Sequence, residues 1–176
     1  MSTRIRILDV NDALDLAELY RANRVFLTPY EPTRPGSFFT ERGQLELAER
    51  KLTDWQAGLC APFVILGERE EVVGAININD IVRGAFESAS LGYWVAQDAG
   101  GRGFAKEAVA SAAAFSFEVL GLHRLQAATL LDNERSQAVL RAAGFEEFGV
   151  APSYLRIDGR WRDHRLFQLL AAEEAA

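Results

Sequence analysis

The chain has 176 residues, 49% of them hydrophobic and 25% charged, which suits a folded chain with one sizeable core and is too little for two ordinary domains. Nineteen Lys and Arg against 25 Asp and Glu leave a net charge of −6, the wrong sign for a general nucleic-acid binder. The single cysteine, Cys60, excludes an internal disulfide framework and a multi-cysteine zinc site, and two histidines without His-Glu-x-x-His give no catalytic-metal signature. No apolar run nears the ~20 residues of a membrane span, and Met1 to Arg6 lack a secretory apolar segment. The expectation is a cytoplasmic protein without membrane, nucleic-acid or metal partners.

Thr3 to Leu8 reads as a strand, followed by Asp9, Asn11 and Asp12 as capping oxygens for a helix. Ala13, Leu16, Ala17 and Tyr20 follow the i, i+3, i+4, i+7 spacing and predict an amphipathic helix over 12–26. Three prolines between Pro29 and Pro35 make that stretch a loop, and Leu45, Ala48, Leu52 and Trp55 mark a second helix. Strands follow at Phe63 to Gly67 and Val72 to Val82, and a third at Glu87 to Ala96 puts Leu91, Tyr93 and Val95 on one face and Gly92 and Trp94 on the other. A glycine turn at 100–103 leads into a helix over 104–120 with Ala108, Ala112, Phe115 and Val119 as its apolar stripe. Leu125 to Leu131 is a strand, Asn133 caps a helix over 134–143, and Gly144 stands where a left-handed C′ residue belongs. Phe145 to Val150 and Trp161 to Leu170 close the chain as strands. The order β-α-α-β-β-β-α-β-α-β-β is that of a single-domain mixed α/β sheet, not a repeated βαβ winding.

Gly100-Gly101-Arg102-Gly103-Phe104-Ala105, between a strand and a helix, is suited to a phosphate or pyrophosphate, because small residues and a helix N-terminus turn backbone N–H groups to one place. A Walker A loop fails, since Lys106 precedes Glu107, and a dinucleotide fingerprint fails, since Lys106 stands where a small residue is needed. A plain tight turn into a buried helix has the same local appearance. The second signal is Asn133-Glu134-Arg135-Ser136, followed by a short helix that ends in Gly144-Phe145. Taken alone, Asn133 is equally an N-cap and Ser136 a neutral helix position.

Together the two signals resemble the GNAT superfamily of acyl-CoA-dependent N-acetyltransferases along residues 3–171, which leaves 172–176 as a tail. The family turn Gln/Arg-x-x-Gly-x-Gly/Ala maps onto Gly100 to Ala105, with Gly100 in place of the long polar residue. Asn23 to Pro32, Val82 to Phe86, Leu91-Gly92-Tyr93 and Ile157 to His164 resemble the RimJ/RimL branch, and within it the ribosomal-protein-alanine N-acetyltransferases. The resemblance implies a largely antiparallel sheet flanked by helices. It also implies direct transfer of acetyl from acetyl-CoA to an amine, with neither a covalent enzyme intermediate nor a metal. Tyr93, Trp94 and Val95 would present backbone to the pantetheine arm, the Val95 N–H serving the developing oxyanion. Gly101, Arg102, Gly103, Phe104 and Ala105 would hold the pyrophosphate, Asn133 would bond the amide-rich arm, and Ser136 would protonate the leaving thiolate.

The acceptor implied is a protein N-terminus, such as that of a ribosomal protein. The alternatives are a small amine (antibiotic or polyamine) and a non-catalytic acyl-CoA-binding module, the latter opposed by the Asn133/Ser136 pair. Tyr30 and Glu31, in the proline-stiffened loop, would meet the acceptor. Glu31, Asp163 and His164 are base candidates by residue type. Strand alternation separates Asp163 from His164, and Tyr154 stands near the position where RimL relatives carry a glutamate. Cys60 and His123 read as structural. A homodimer is the expected assembly.

Overall fold

The computed structural model describes residues 4–172; Thr3 of the expected strand and domain, and residues 173–176 of the expected tail, lie outside that range. The chain runs β1 (Ile5–Ile7), α1 (Ala13–Ala22), α2 (Arg24–Leu27), α3 (Glu41–Gln56), β2 (Ala61–Leu66), β3 (Val72–Val82), β4 (Ser88–Val95), α4 (Phe104–Ala114), β5 (Arg124–Leu130), α5 (Glu134–Ala142), β6 (Glu146–Ile157) and β7 (Arg160–Leu170). The strands form one seven-stranded sheet in the order β1-β2-β3-β4-β5-β7-β6. All neighbours are antiparallel except β4 and β5. This is the mixed, largely antiparallel sheet expected from the sequence.

Two-residue alternation divides the sheet's side chains between two cores. Phe63, Ile65, Ile76, Ile78, Leu91, Leu125 and Phe167 pack under α4, whose Ala108, Val109 and Ala112 approach closely for want of bulk. On the other face, Val64 meets Leu16 and Tyr20 of α1 and Ala48 of α3. Tyr93 and Val95 join the first core and Trp94 the second, as the alternation in this strand requires.

Three expected elements differ in extent. The helix over 12–26 breaks at Asn23, whose Nδ2 donates to the Leu19 carbonyl (2.9 Å) while its Oδ1 accepts from the Gln97 N–H (2.8 Å). A buried side chain that bonds backbone in this way competes with the helix, and here it also ties the α1–α2 junction to the segment after β4. The helix over 104–120 ends as α-helix at Ala114 and continues as a π-helical turn, Phe115–Val119. The wider turn rotates Val119 out of the stripe to 65% exposure. Phe115 stays inward, with its ring 5.1 Å from Phe63 and 5.9 Å from Trp55. The strand expected to stop at Val150 runs on to Ile157 through two register shifts. Its solvent-facing residues alternate poorly, and a turn at Asp158-Gly159 with left-handed φ of 45° and 74° joins it to β7. Gly144 takes the expected left-handed conformation, φ 89°.

Candidate active site

The parallel ladder between β4 and β5 runs from Ser88 opposite Arg124 to Leu91 opposite Ala127. Both strands continue, β4 to Val95 and β5 to Leu130, so a gap opens in the middle of the sheet. The Ala96 N–H donates to the Val73 carbonyl at 2.8 Å. Because backbone groups alternate along a strand, Trp94 also turns its N–H and C=O toward β3. Tyr93 and Val95 turn theirs into the gap. Of the three residues expected there, Trp94 is thus not presented. Its indole lies on the opposite face, with its ring centroid 4.4 Å from that of Tyr20.

The glycine turn stands at the start of α4. Gly101 and Gly103 have φ of 76° and 88°, a region open to glycine at little cost. Gly103 is the N-cap of α4 and supplies no side-chain bond to it, so no capping side chain occupies the first N–H groups of the helix. Phe104 is an anchor, 2% exposed, with the Arg102 guanidinium 4.9 Å from its ring centroid. Arg102 also pairs with Glu68 at 2.8 Å, so any anion contact by Arg102 competes with that carboxylate.

Across the gap from β4, the Asn133 side chain caps α5 by accepting the Ser136 N–H at 3.2 Å, which leaves its amide N–H₂ free to donate. Gln137 holds the helix over β5 by donating to the Leu130 and Leu131 carbonyls, at 3.2 and 3.1 Å. Ser136 Oγ lies 2.8 Å from the Tyr93 hydroxyl, which also reaches the Ser136 carbonyl at 3.2 Å. Burial pushes the Tyr93 phenol up to about 12, against the opposing pull of the Ser136 hydrogen bond. Thr129, two residues beyond the end of the ladder, is buried, and its hydroxyl has no partner among the described residues. Sequence reading missed Thr129 and the Tyr93 hydroxyl, because neither has meaning before β4 and β5 are known to part.

A chain of aromatics leads from Trp94 to a second space. Tyr20 touches both Trp94 and Phe38 and lines a cavity of about 210 Å³ with Arg24, Glu31, Arg34, Phe39 and Asp158. The β6–β7 turn closes it, the Asp158 N–H donating to the Glu31 carbonyl at 3.0 Å. Burial raises the Glu31 carboxyl above its usual range, opposed by Arg34 and Lys51; Arg34 approaches to 3.8 Å. Tyr30 is exposed and leans on Phe26 outside the cavity, so the two acceptor-side residues part company. Lys51 donates to Asn77 Oδ1 at 2.9 Å, and burial lowers its pKa.

The other base candidates have structural partners. His164 is 3% exposed, with Nδ1 2.9 Å from the Arg162 carbonyl. Asp163 accepts the Ser153 N–H at 2.8 Å and so holds the bulge in β6. Cys60 donates weakly to the Lys51 carbonyl at 3.5 Å, and burial raises its thiol, the opposite of what an acyl-carrying thiolate needs. Among the described residues, no group of three or more His, Cys, Asp or Glu is placed to hold a metal ion.

The mixed sheet is thus parted between its two parallel strands, with a glycine turn at one strand's exit and a hydroxyl pair across the opening. Residues 3–146 match the acetyltransferase (GNAT) domain family. The chain belongs to that family and is an acetyl-CoA-dependent N-acetyltransferase. It is 34% identical over 171 residues to the [ribosomal protein uS5]-alanine N-acetyltransferase of Escherichia coli, covering 94% of this chain and 86% of that one. Among solved structures it is similar to the ribosomal-protein-S5-alanine acetyltransferase of Vibrio fischeri (TM-score 0.91, 30% identity, 96% and 93% of the two chains). It is also similar to RimJ of Mycobacterium smegmatis in complex with CoA-disulfide (TM-score 0.91, 32% identity, 95% and 81%).

Proposed function

We propose that residues 3–171 form a domain that transfers acetyl from acetyl-CoA to the N-terminal α-amine of a protein, a ribosomal protein being the acceptor class, in the cytoplasm. The gap beside Tyr93 and Val95 carries this reading, because unpaired backbone there can bond an extended amide-bearing arm as a strand would. Acetyl-CoA supplies an activated thioester. In this reading the turn from Gly101 to Ala105 binds the pyrophosphate through its N–H groups, and the freed Asn133 amide bonds the arm. The Val95 N–H donates to the carbonyl oxygen, where negative charge grows in the transition state. The Ser136 hydroxyl gives its proton to the sulfur as the C–S bond breaks. A free thiol titrates near ~8.5, so this asks little of a neutral donor.

On the acceptor side, the Glu31 carboxylate positions a cationic N-terminus in the cavity. No side-chain base is assigned, since an α-amine titrates at about 7.7–8.0 and is substantially neutral at cytoplasmic pH, unlike a lysine near 10.4. The relatives named for ribosomal protein S5 support a protein acceptor, as does the acidic balance of the chain. The test is free-thiol release from acetyl-CoA across peptides beginning Ala, Ser or Met, beside spermidine and an aminoglycoside. Turnover on the Ala and Ser peptides at least tenfold above the small amines is the expected result; the reverse order overturns the acceptor assignment.

A further inference from the structure

The Ser136 hydroxyl is not free to aim at a leaving group on its own account. It has one proton, and the Tyr93 hydroxyl 2.8 Å away also has one. If Tyr93 gives its proton to the Ser136 carbonyl, 3.2 Å away, the serine proton turns back onto the phenol oxygen and is lost to catalysis. If Tyr93 donates to Ser136 Oγ, the shorter contact, the serine proton is driven outward. The two residues lie 43 positions apart, on opposite banks of the β4–β5 gap, so their contact exists only in the assembled site. We propose that Tyr93 is a positioning residue: its phenol donates to Ser136 Oγ, orienting the serine proton toward the leaving sulfur and making that hydroxyl a stronger acid.

This inference rests on the assignment of Ser136 as proton donor. In the step, the amine nitrogen forms a bond to the carbonyl carbon, the C–S bond breaks, and its electron pair goes to sulfur. The Ser136 proton follows to sulfur, and the surplus proton of the attacking amine recharges Ser136 through water, so no further reactant is needed. The Tyr93 proton stays in its hydrogen bond throughout. A phenol pushed up to about 12 by burial keeps that proton at every working pH and is a fixed donor, not a relay.

The experiment is a double-mutant cycle on the full chain, with Tyr93→Phe, Ser136→Ala and the double variant. Tyr93→Phe is expected to lower kcat about fivefold, roughly the effect of one hydrogen bond, with acetyl-CoA affinity by calorimetry changed less than twofold. In the Ser136→Ala background the same substitution is expected to cost less than twofold. A second readout needs no turnover: the thiol pKa of bound CoA, followed by thiolate ultraviolet absorbance. A serine held toward sulfur favours the thiolate, so this pKa is expected below ~8.5 in the parent enzyme and higher in Tyr93→Phe. If Ser136→Ala leaves kcat unchanged, the Ser136 assignment falls and this inference with it. If Ser136→Ala lowers kcat while Tyr93→Phe lowers neither kcat nor the thiolate preference, or the two losses multiply, the inference alone falls. Loss of acetyl-CoA binding in Tyr93→Phe also overturns it, since the phenol would then be a wall of the arm's channel.

Discussion

The roles proposed for Ser136 and Glu31 are separable, and their variants should differ accordingly. In the proposed mechanism Ser136 acts only as charge leaves on sulfur, so Ser136→Ala should lower kcat about tenfold and leave the acetyl-CoA dissociation constant nearly unchanged. Single-turnover kinetics with calorimetry read the two apart; a parental kcat where chemistry limits turnover removes Ser136 from the mechanism. In the same proposal Glu31 holds the acceptor and moves no proton, so Glu31→Gln should mainly raise the peptide KM. Abolished kcat at unchanged KM would make Glu31 the leading general base. Stability gives an independent reading of the same residue. Because burial raises its folded pKa, ionised Glu31 opposes folding at neutral pH, and that penalty vanishes once pH falls below the ordinary carboxylate value near ~4.3. Its contact with half-exposed Arg34 offsets less than about 1 kcal/mol. Glu31→Gln should therefore melt higher than the parent at pH 8, with the difference shrinking as pH falls toward the ordinary carboxylate value. A lower melting temperature at pH 8 would show that the Arg34 contact outweighs burial.

Among the elements, the junction of the glycine turn with α4 has the most direct consequence for binding. Gly103 sits at φ 88° as a cap without a side chain, so Gly103→Glu adds both a negative charge at the proposed anion site and a left-handed backbone penalty of about 1–2 kcal/mol. Acetyl-CoA affinity should drop by more than tenfold, about 1.4 kcal/mol or more. Gly103→Asn, which tolerates this conformation and carries no charge, separates strain from electrostatics and should lose far less. Equal losses in the two variants would mean that shape, not the anion, is recognised. The start of α1 provides a stability counterpart. Burial favours the neutral form of Asp12, yet the Arg6 hydrogen bonds at 2.6 and 2.8 Å and the Asp9 N–H outweigh it and hold this carboxyl below its usual range. A lowered folded pKa means that its stabilisation is present above the unfolded value and is lost as pH falls through the folded one. Asp12→Asn should then lower the melting temperature at pH 7 and converge on the parent in acid.

For the whole molecule, ligand binding should appear in global stability, because the proposed site is assembled from β4, α4, β5 and α5 at the centre of one sheet. At a hundredfold excess over the dissociation constant, acetyl-CoA should add about 2.7 kcal/mol, or roughly 5–10 °C of melting temperature for a chain of this size. Ser136→Ala should keep this shift and Gly103→Glu should lose most of it, as differential scanning fluorimetry would show. The rate should also carry the acceptor's signature. With a peptide substrate, kcat/KM should rise through about pH 7–8 and level off as the α-amine loses its proton. A profile that climbs toward ~10 instead identifies a lysine or polyamine acceptor.

Local chemistry in the sequence was enough for the element order apart from the break between α1 and α2, and for the glycine turn, the cap at Asn133 and the left-handed Gly144, because periodicity and turn residues report on each segment's own backbone. It was also enough to place Leu91, Tyr93 and Val95 opposite Trp94, since a strand alternates whatever it pairs with. The functional opening was another matter. That β4 and β5 pair only as far as Leu91 and Ala127 is a matter of register between strands remote from each other in the chain, which no local pattern encodes. The same holds for Asn23, which breaks its helix by bonding Gln97, 74 residues on, and for Glu31 turning into a cavity while neighbouring Tyr30 stays outside. Sequence determined which groups are candidates for acetyl transfer. Tertiary packing decided which of them face one another, because hydrogen bonds between remote side chains form only after the sheet and its two covering layers have fixed their distance.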